Sequence, residues 1–203
     1  MCEVGRRLWQ RGMVGGAEGN ISVRLSQRQF LCTPSGISKG HMKPNDMVVI
    51  DSQGAAVKDG KPSSEIKLHM QIYRRRPDCV AVIHAHPPTA TGFALAGEEI
   101  PDNLLPESGL ILGSVVTVPF AYPGTNDVPD GIDPYLEDHK TFILSSHGAV
   151  VMGKDLYDAC YRMETLERVA HTILVAKSLG NVTPLPHEAF DRLLQDGLNG
   201  RLD

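Results

Sequence analysis

The sequence predicts an α/β protein with a largely antiparallel sheet, on three observations. Short alternating stretches crowd the first third of the chain, joined by connections too short for a parallel crossover. Two stretches, one ending before Pro77 and one closing at Gly180-Asn181, carry helical periodicity with start and stop signals. Between them lie strand-length runs of small and β-branched residues. With 203 residues, 41% hydrophobic and 22% charged, usage is ordinary for a globular protein. One domain over residues 1–203 is expected.

Residues 2–13 read as a helix with Val4, Leu8 and Met13 on one side, stopped by Gly15-Gly16. Ile21-Ser22-Val23-Arg24-Leu25 alternates as a half-buried strand does, and Phe30-Leu31-Cys32 resumes it after four residues, which permits a hairpin. Met47 to Ile50 is a third strand, followed by an Asp51-Ser52-Gln53-Gly54 turn and a short return through Ala55, Ala56 and Val57. Pro62-Ser63-Ser64-Glu65 is expected to start a helix running to about Arg76, with the serines as caps. Cys79 to Ala85 is a strand, residues 89–96 a short helix, and 114–118 and 141–145 further strands. Asp155 caps a helix to Leu179, and the tail over 181–203 holds one short helix around 187–195.

The net charge of −4, from 20 Lys+Arg against 24 Asp+Glu, comes without a basic run, so no nucleic-acid partner is expected. No stretch approaches the ~18 apolar residues needed to span a bilayer, and the N-terminus lacks the apolar core of a signal peptide. A soluble cytoplasmic protein without membrane contact is expected. Cys2, Cys32, Cys79 and Cys160 are too scattered for a metal knuckle and read as reduced thiols.

Histidine carries the chemistry. Alternate strand residues share a face, so Val80, Val82, His84 and His86 project together and the two imidazoles converge at a strand end. Such a pair can hold one small ion such as Zn²⁺ when a third ligand joins it. His147, beyond another apolar strand and before Gly148, is the best candidate, and three protein ligands leave a position for substrate. His69, four residues after Glu65, is a fallback ligand. Glu65 falls in a first helical turn, where the macrodipole favours a carboxylate. Gly19-Asn20-Ile21-Ser22, Thr33-Pro34-Ser35-Gly36 and Ser63-Ser64 each offer amides and small polar side chains, and together suggest a phosphate-sized cradle. Taken singly, each of these is an ordinary turn, cap or packed histidine.

These three segments, with His84-Ala85-His86-Pro87 and His147-Gly148, stand in the order and spacing of one family. Over roughly residues 4–178 the chain resembles the class II aldolase/adducin proteins, and among them the L-fuculose-phosphate aldolases most. The resemblance implies a three-layer α-β-α arrangement, a largely antiparallel central sheet flanked by helices, in a homotetramer with active sites between subunits. It implies one Zn²⁺ per subunit on His84, His86 and His147. Glu65 becomes the acid/base, and a fourth ligand when substrate is absent. Phosphate binding falls to Asn20, Ser35, Gly36, Ser63 and Ser64, with Gly19 shaping the loop.

The activity implied is reversible cleavage of a phosphorylated ketose, a ketose 1-phosphate, to dihydroxyacetone phosphate and an aldehyde. Zinc-dependent epimerases resemble the chain less where they carry aspartate in place of Glu65. Methylthioribulose-1-phosphate dehydratases and a metal-free, adducin-like interaction domain are the other readings. The chain departs from the fuculose-phosphate enzymes in lacking tyrosine at Leu105-Pro106-Glu107-Ser108 and in the tail from Leu185 to Asp203, leaving Tyr122 as a substitute for handling the aldehyde.

Overall fold

The computed structural model describes residues 1–198; the last five residues of the expected tail lie outside them. Seven strands form one sheet: β1 (Asn20–Arg24), β2 (Gln29–Cys32), β3 (Val48–Asp51), β4 (Ala81–Ala85), β5 (Val115–Val118), β6 (Thr141–Leu144) and β7 (Gly148–Gly153). Their spatial order is β3-β2-β1-β4-β7-β6-β5. Every neighbouring pair is antiparallel except β5 with β6. The largely antiparallel expectation therefore holds, with one parallel pair at an edge. That pair needs a crossover, which the Pro- and Gly-rich stretch supplies through α4 (Asp127–Ile132), a helix its composition conceals.

Helices cover both faces. On one side α1 (Cys2–Gln10), α3 (Pro88–Leu95) and α5 (Leu156–Leu179) pack on Ile21, Ala81, Ile83, Ala85, Ile143, Ala149 and Val151. On the other, α2 (Ile66–Arg75) and α4 pack on Phe30, Val48, Ile50, Val82, Phe142, Leu144 and Val150. The two lists divide β4, β6 and β7 by alternate residues, as the pleat requires. This is the three-layer α-β-α arrangement.

Three boundaries move. Helix α1 ends at Gln10 rather than 13, because Gly12 turns the chain at φ +69° and Met13 N–H donates back to Leu8. Helix α2 begins at Ile66 and not at Pro62-Ser63: Pro62 bridges Pro34 and Ser35 N–H donates to Lys61 O at 2.9 Å, so this segment stays extended against the Thr33–Gly36 turn. The serines are therefore not helix caps. The Ser145–Gly148 segment is a hairpin turn into β7, a strand whose unbroken apolar run Ala149–Met152 follows the turn directly.

Asp155 caps α5 as expected, accepting from Tyr157 N–H at 2.8 Å and Asp158 N–H at 2.9 Å. The tail forms α6 (His187–Leu198) over a single π-helical turn at Ser108–Leu112. Backbones meet there: a Cβ on Gly197 would stand 2.5 Å from Leu110 O. All four cysteines are unpaired, and among the described residues no helix is long and apolar enough to cross a membrane.

Candidate metal centre

Strand pairing brings the histidines together. The register sets His84 opposite Val150 and Ala85 opposite Ala149, so the end of β4 lies beside the β6–β7 turn that carries His147. The turn is tight: His147 N–H donates to Leu144 O at 3.0 Å, and Ser146 takes φ 55°, the one positive φ at a non-glycine among the described residues. Such a conformation costs of order 1 kcal/mol and persists where surroundings enforce it. Gly148 then lets β7 pass close to the pair, since a Cβ there would stand 2.6 Å from both Ala85 O and His86 Cδ2. His86 lies one residue past β4, its N–H donating to Met13 O at 2.8 Å. The following helix is anchored by Glu167 of α5, which accepts from Thr89 N–H and Ala90 N–H.

The three rings form a triangle with centroids 4.7, 4.9 and 5.3 Å apart. Their ligating atoms all lie within 4.8 Å of one another. His84 Nε2 and His86 Nε2 are 3.1 Å apart. Glu65 closes the fourth side, with Oε2 3.3 Å from His84 Nε2 and Oε1 3.1 Å from His147 Nε2. Zinc–ligand bonds of 2.0–2.1 Å in a tetrahedron put neighbouring ligand atoms about 3.3 Å apart, so these separations suit a divalent ion. The polar accounting agrees, because Glu65 Oε1, which faces the three rings, is buried without a hydrogen-bond partner. His84 is oriented from behind, its Nδ1 standing 3.0 Å from Ala149 O, which leaves Nε2 as the free donor atom. Burial, reinforced by repulsion from His84 and His147, lowers the His86 pKa to about 4, so the ring is neutral at pH 7, the form that can ligate a metal. Burial opposes ionisation of Glu65, but its pairing with His147 and His84 outweighs burial and holds the carboxyl well below its ordinary range.

The remaining predicted residues surround this centre unequally. Asn20, buried and paired with His84 across β1 and β4, donates from Nδ2 to Glu65 Oε2 at 3.0 Å while its Oδ1 lacks a partner. Gly19, at φ +70°, has no room for a side chain: a Cβ would lie 2.9 Å from His84 O. Gly36 turns at φ +77° beside Ser35, and Ser63 Oγ accepts from Glu65 N–H at 3.4 Å. Ser35 and Ser63 are brought together by the Pro34–Pro62 bridge, and Ser64 is exposed next to Glu65. His69 does not join the metal group. It is fully buried one helical turn below Glu65, Nδ1 2.7 Å from Ser22 Oγ, which in turn lies 2.8 Å from Tyr73 Oη. This Ser22–His69–Tyr73 set beneath the site is legible in sequence only as alternate polar positions on β1 and a helical spacing on α2.

Tyr122 is exposed, packed edge-on against Phe120 at 5.4 Å, in the loop whose Pro119 and Ala121 share a small crevice with His147. Two clefts, of about 590 Å³ beside α1 and α5 and about 640 Å³ between α3 and α5, lie elsewhere and are not lined by the three histidines.

A family model, the class II aldolase and adducin N-terminal domain, matches residues 1–174. The chain is 32% identical over 174 residues to 3-oxo-tetronate 4-phosphate decarboxylase of Haemophilus influenzae, covering 84% of this chain and 83% of the relative. It is 36% identical over 170 residues to L-fuculose phosphate aldolase of Methanocaldococcus jannaschii, covering 84% and 91%. The crystal structure of YgbL from Escherichia coli superposes with a TM-score of 0.89 at 29% identity, over 96% of this chain and 95% of that one. Fold, matched segment and histidine triad agree, and the chain belongs to the class II aldolase/adducin family.

Proposed function

We propose that the protein is a zinc-dependent carbon–carbon lyase that cleaves a small ketose 1-phosphate to dihydroxyacetone phosphate and an aldehyde. The observation that carries this reading is Glu65 held between His84 and His147 at 3.3 and 3.1 Å, an acid/base within reach of whatever His84, His86 and His147 bind. The three imidazoles would hold the metal, whose Lewis acidity would stabilise the charge that develops on the substrate oxygens as the bond breaks.

The chain's own residues do the rest. As the C3–C4 bond breaks, its electron pair stays with C3, the C4 hydroxyl gives up its proton, with Tyr122 the candidate to take it, and Glu65, ionised in the free protein, must take up a proton before it delivers one to C3. In condensation the Glu65 carboxylate removes the same proton. Asn20 Nδ2, 3.0 Å from Glu65 Oε2, fixes the carboxylate for this transfer. Asn20, Ser35, Gly36, Ser63 and Ser64, with Gly19 shaping the loop, are proposed to hold the phosphate and so orient the carbon skeleton. Retention of all three histidines with Glu65 disfavours a metal-free interaction domain, and glutamate rather than aspartate at 65 disfavours the epimerases. A cytoplasmic homotetramer with sites between subunits remains part of the proposal, supported by exposed Phe120 and Tyr122 on the loop beside His147.

A second reading is favoured by a specific absence. Aldol cleavage also requires the C4 hydroxyl to lose its proton, and no tyrosine stands at 105–108 or in the tail to take it. Decarboxylation of a 3-oxo sugar-acid phosphate requires no such group, since carbon dioxide leaves and Glu65 protonates the carbon left behind. The relative named for 3-oxo-tetronate 4-phosphate fits this reading. Loss of carbon dioxide from that substrate also leaves dihydroxyacetone phosphate, so both readings share one phosphorylated product. A panel of ketose 1-phosphates and 3-oxo sugar-acid phosphates, scored for dihydroxyacetone phosphate together with aldehyde or carbon dioxide, separates them. Release with an aldehyde supports the aldolase and release with carbon dioxide the decarboxylase. Turnover without dihydroxyacetone phosphate overturns both.

A further inference from the structure

We infer that Glu18 is the carboxylate partner of His86 and a positioning residue of the metal centre, an inference that rests on the metal-dependent reading above. The three histidines differ in what faces the ring nitrogen turned away from the centre. His84 Nδ1 meets the Ala149 carbonyl, and His147 Nδ1 meets no hydrogen-bonding group. His86 Nδ1 faces Glu18 Oε2 at 4.0 Å, an ion-pair separation. When His86 Nε2 is committed to a metal, the ring's one proton must sit on Nδ1, directed at that carboxylate. His86 lies one residue past the end of β4 and is the most exposed of the three, at 27%. It therefore has most to gain from a side-chain anchor.

The loop that presents Glu18 is built rigidly for a surface segment. Glu18 Oε1 accepts from Gly15 N–H at 2.5 Å, which fixes the carboxylate. Lys39, 2% exposed, donates from Nζ to Ala17 O at 3.0 Å and to Ile37 O at 2.7 Å, tying the preceding residue to the next loop. Gly19 follows at φ +70°, where a Cβ would stand 2.6 Å from Val14 Cγ1 and 2.9 Å from the His84 carbonyl oxygen. Loop position, carboxylate orientation and ring geometry all bring the negative charge to the outer nitrogen of His86.

Glu18→Gln separates this role from loop capping, because the amide oxygen still accepts from Gly15 N–H while the charge is lost. Purified protein, stripped of metal and titrated with Co²⁺ against a chromophoric chelator, is expected to bind roughly 10–100-fold more weakly in Glu18→Gln than in the wild type. In the Co²⁺-loaded protein the shifted ring N–H proton of His86 is expected to exchange with water faster in the variant, with the other two ring protons unchanged. Equal Co²⁺ affinity in variant and wild type overturns the assignment. So does a loss of affinity accompanied by an equal loss of thermal stability in the metal-free protein, which would make Glu18 a loop cap. Failure of the wild type itself to bind Co²⁺ or Zn²⁺ overturns the metal centre as a whole, and the Glu18 role with it.

Discussion

At the scale of single residues, Glu65 and the triad separate binding from chemistry. His84→Ala or His147→Ala removes one of the three proposed ligands, and stoichiometric metal, expected by elemental analysis in the purified wild type, is expected to be lost. Glu65→Gln preserves size and the hydrogen bond from Asn20, so metal is expected to stay while turnover falls by about 10²–10⁴. Unchanged turnover in that variant would remove Glu65 from proton transfer. The triad was legible because histidines at i and i+2 on a strand must share a face, and a histidine before glycine at a strand end can be aimed sideways. What surrounds them was not. Asn20 reads in sequence as a loop amide for phosphate, yet it lies opposite His84 and bonds Glu65, a relation fixed by the β1–β4 register rather than by any local pattern.

At the scale of elements, close backbone approach decides more than propensity. Gly148→Ala places a methyl against Ala85 O and His86, and overpacking of this kind costs about 1–3 kcal/mol. Thermal unfolding of this variant is expected several degrees lower, with weakened metal binding, because the β7 backbone can only move away from the histidine pair. The buried polar set on β1 and α2 gives a pH signature. Burial, with repulsion from His84, lowers the His69 pKa to about 3, below its ordinary 6.5. Between these values the unfolded chain binds the extra proton, so stability falls as pH drops through that window, by at most about 1.4 kcal/mol per pH unit. Denaturant midpoints of metal-free protein measured from pH 7 to 5 are expected to decline, and His69→Gln to flatten the decline; His86 contributes in the same direction. Strand β7 escapes sequence reading because Ala149–Met152 is uninterrupted by polar residues, as a strand covered on both faces must be. Helix α4 escapes it because Pro129 and Gly131 sit inside a helix held by packing on the second core.

At the scale of the whole molecule, the layers were legible and the surface was not. Alternation in the first third and the two long periodic stretches suffice for a sheet between helices, because burying both faces leaves few arrangements. The sequence does not reveal what meets the exposed Phe120–Tyr122 loop, since a surface is explained only by its partner. Light scattering is expected to give about 88 kDa, four times the 22.1 kDa chain, for the proposed homotetramer. A monomer with full turnover would show that the site is complete within one subunit.

Burial around the centre is graded, from 0% exposure at His84 through 11% at His147 to 27% at His86. The grading sets an order of events as well as a geometry. An ion arriving from solvent is expected to meet His86 first and to reach His84 last, so loading and loss would follow the same one-sided route in opposite directions. A chelator too large to pass His86 must wait for the ion to come out to it. Removal of a bound metal is then expected to be paced by the protein rather than by chelator concentration.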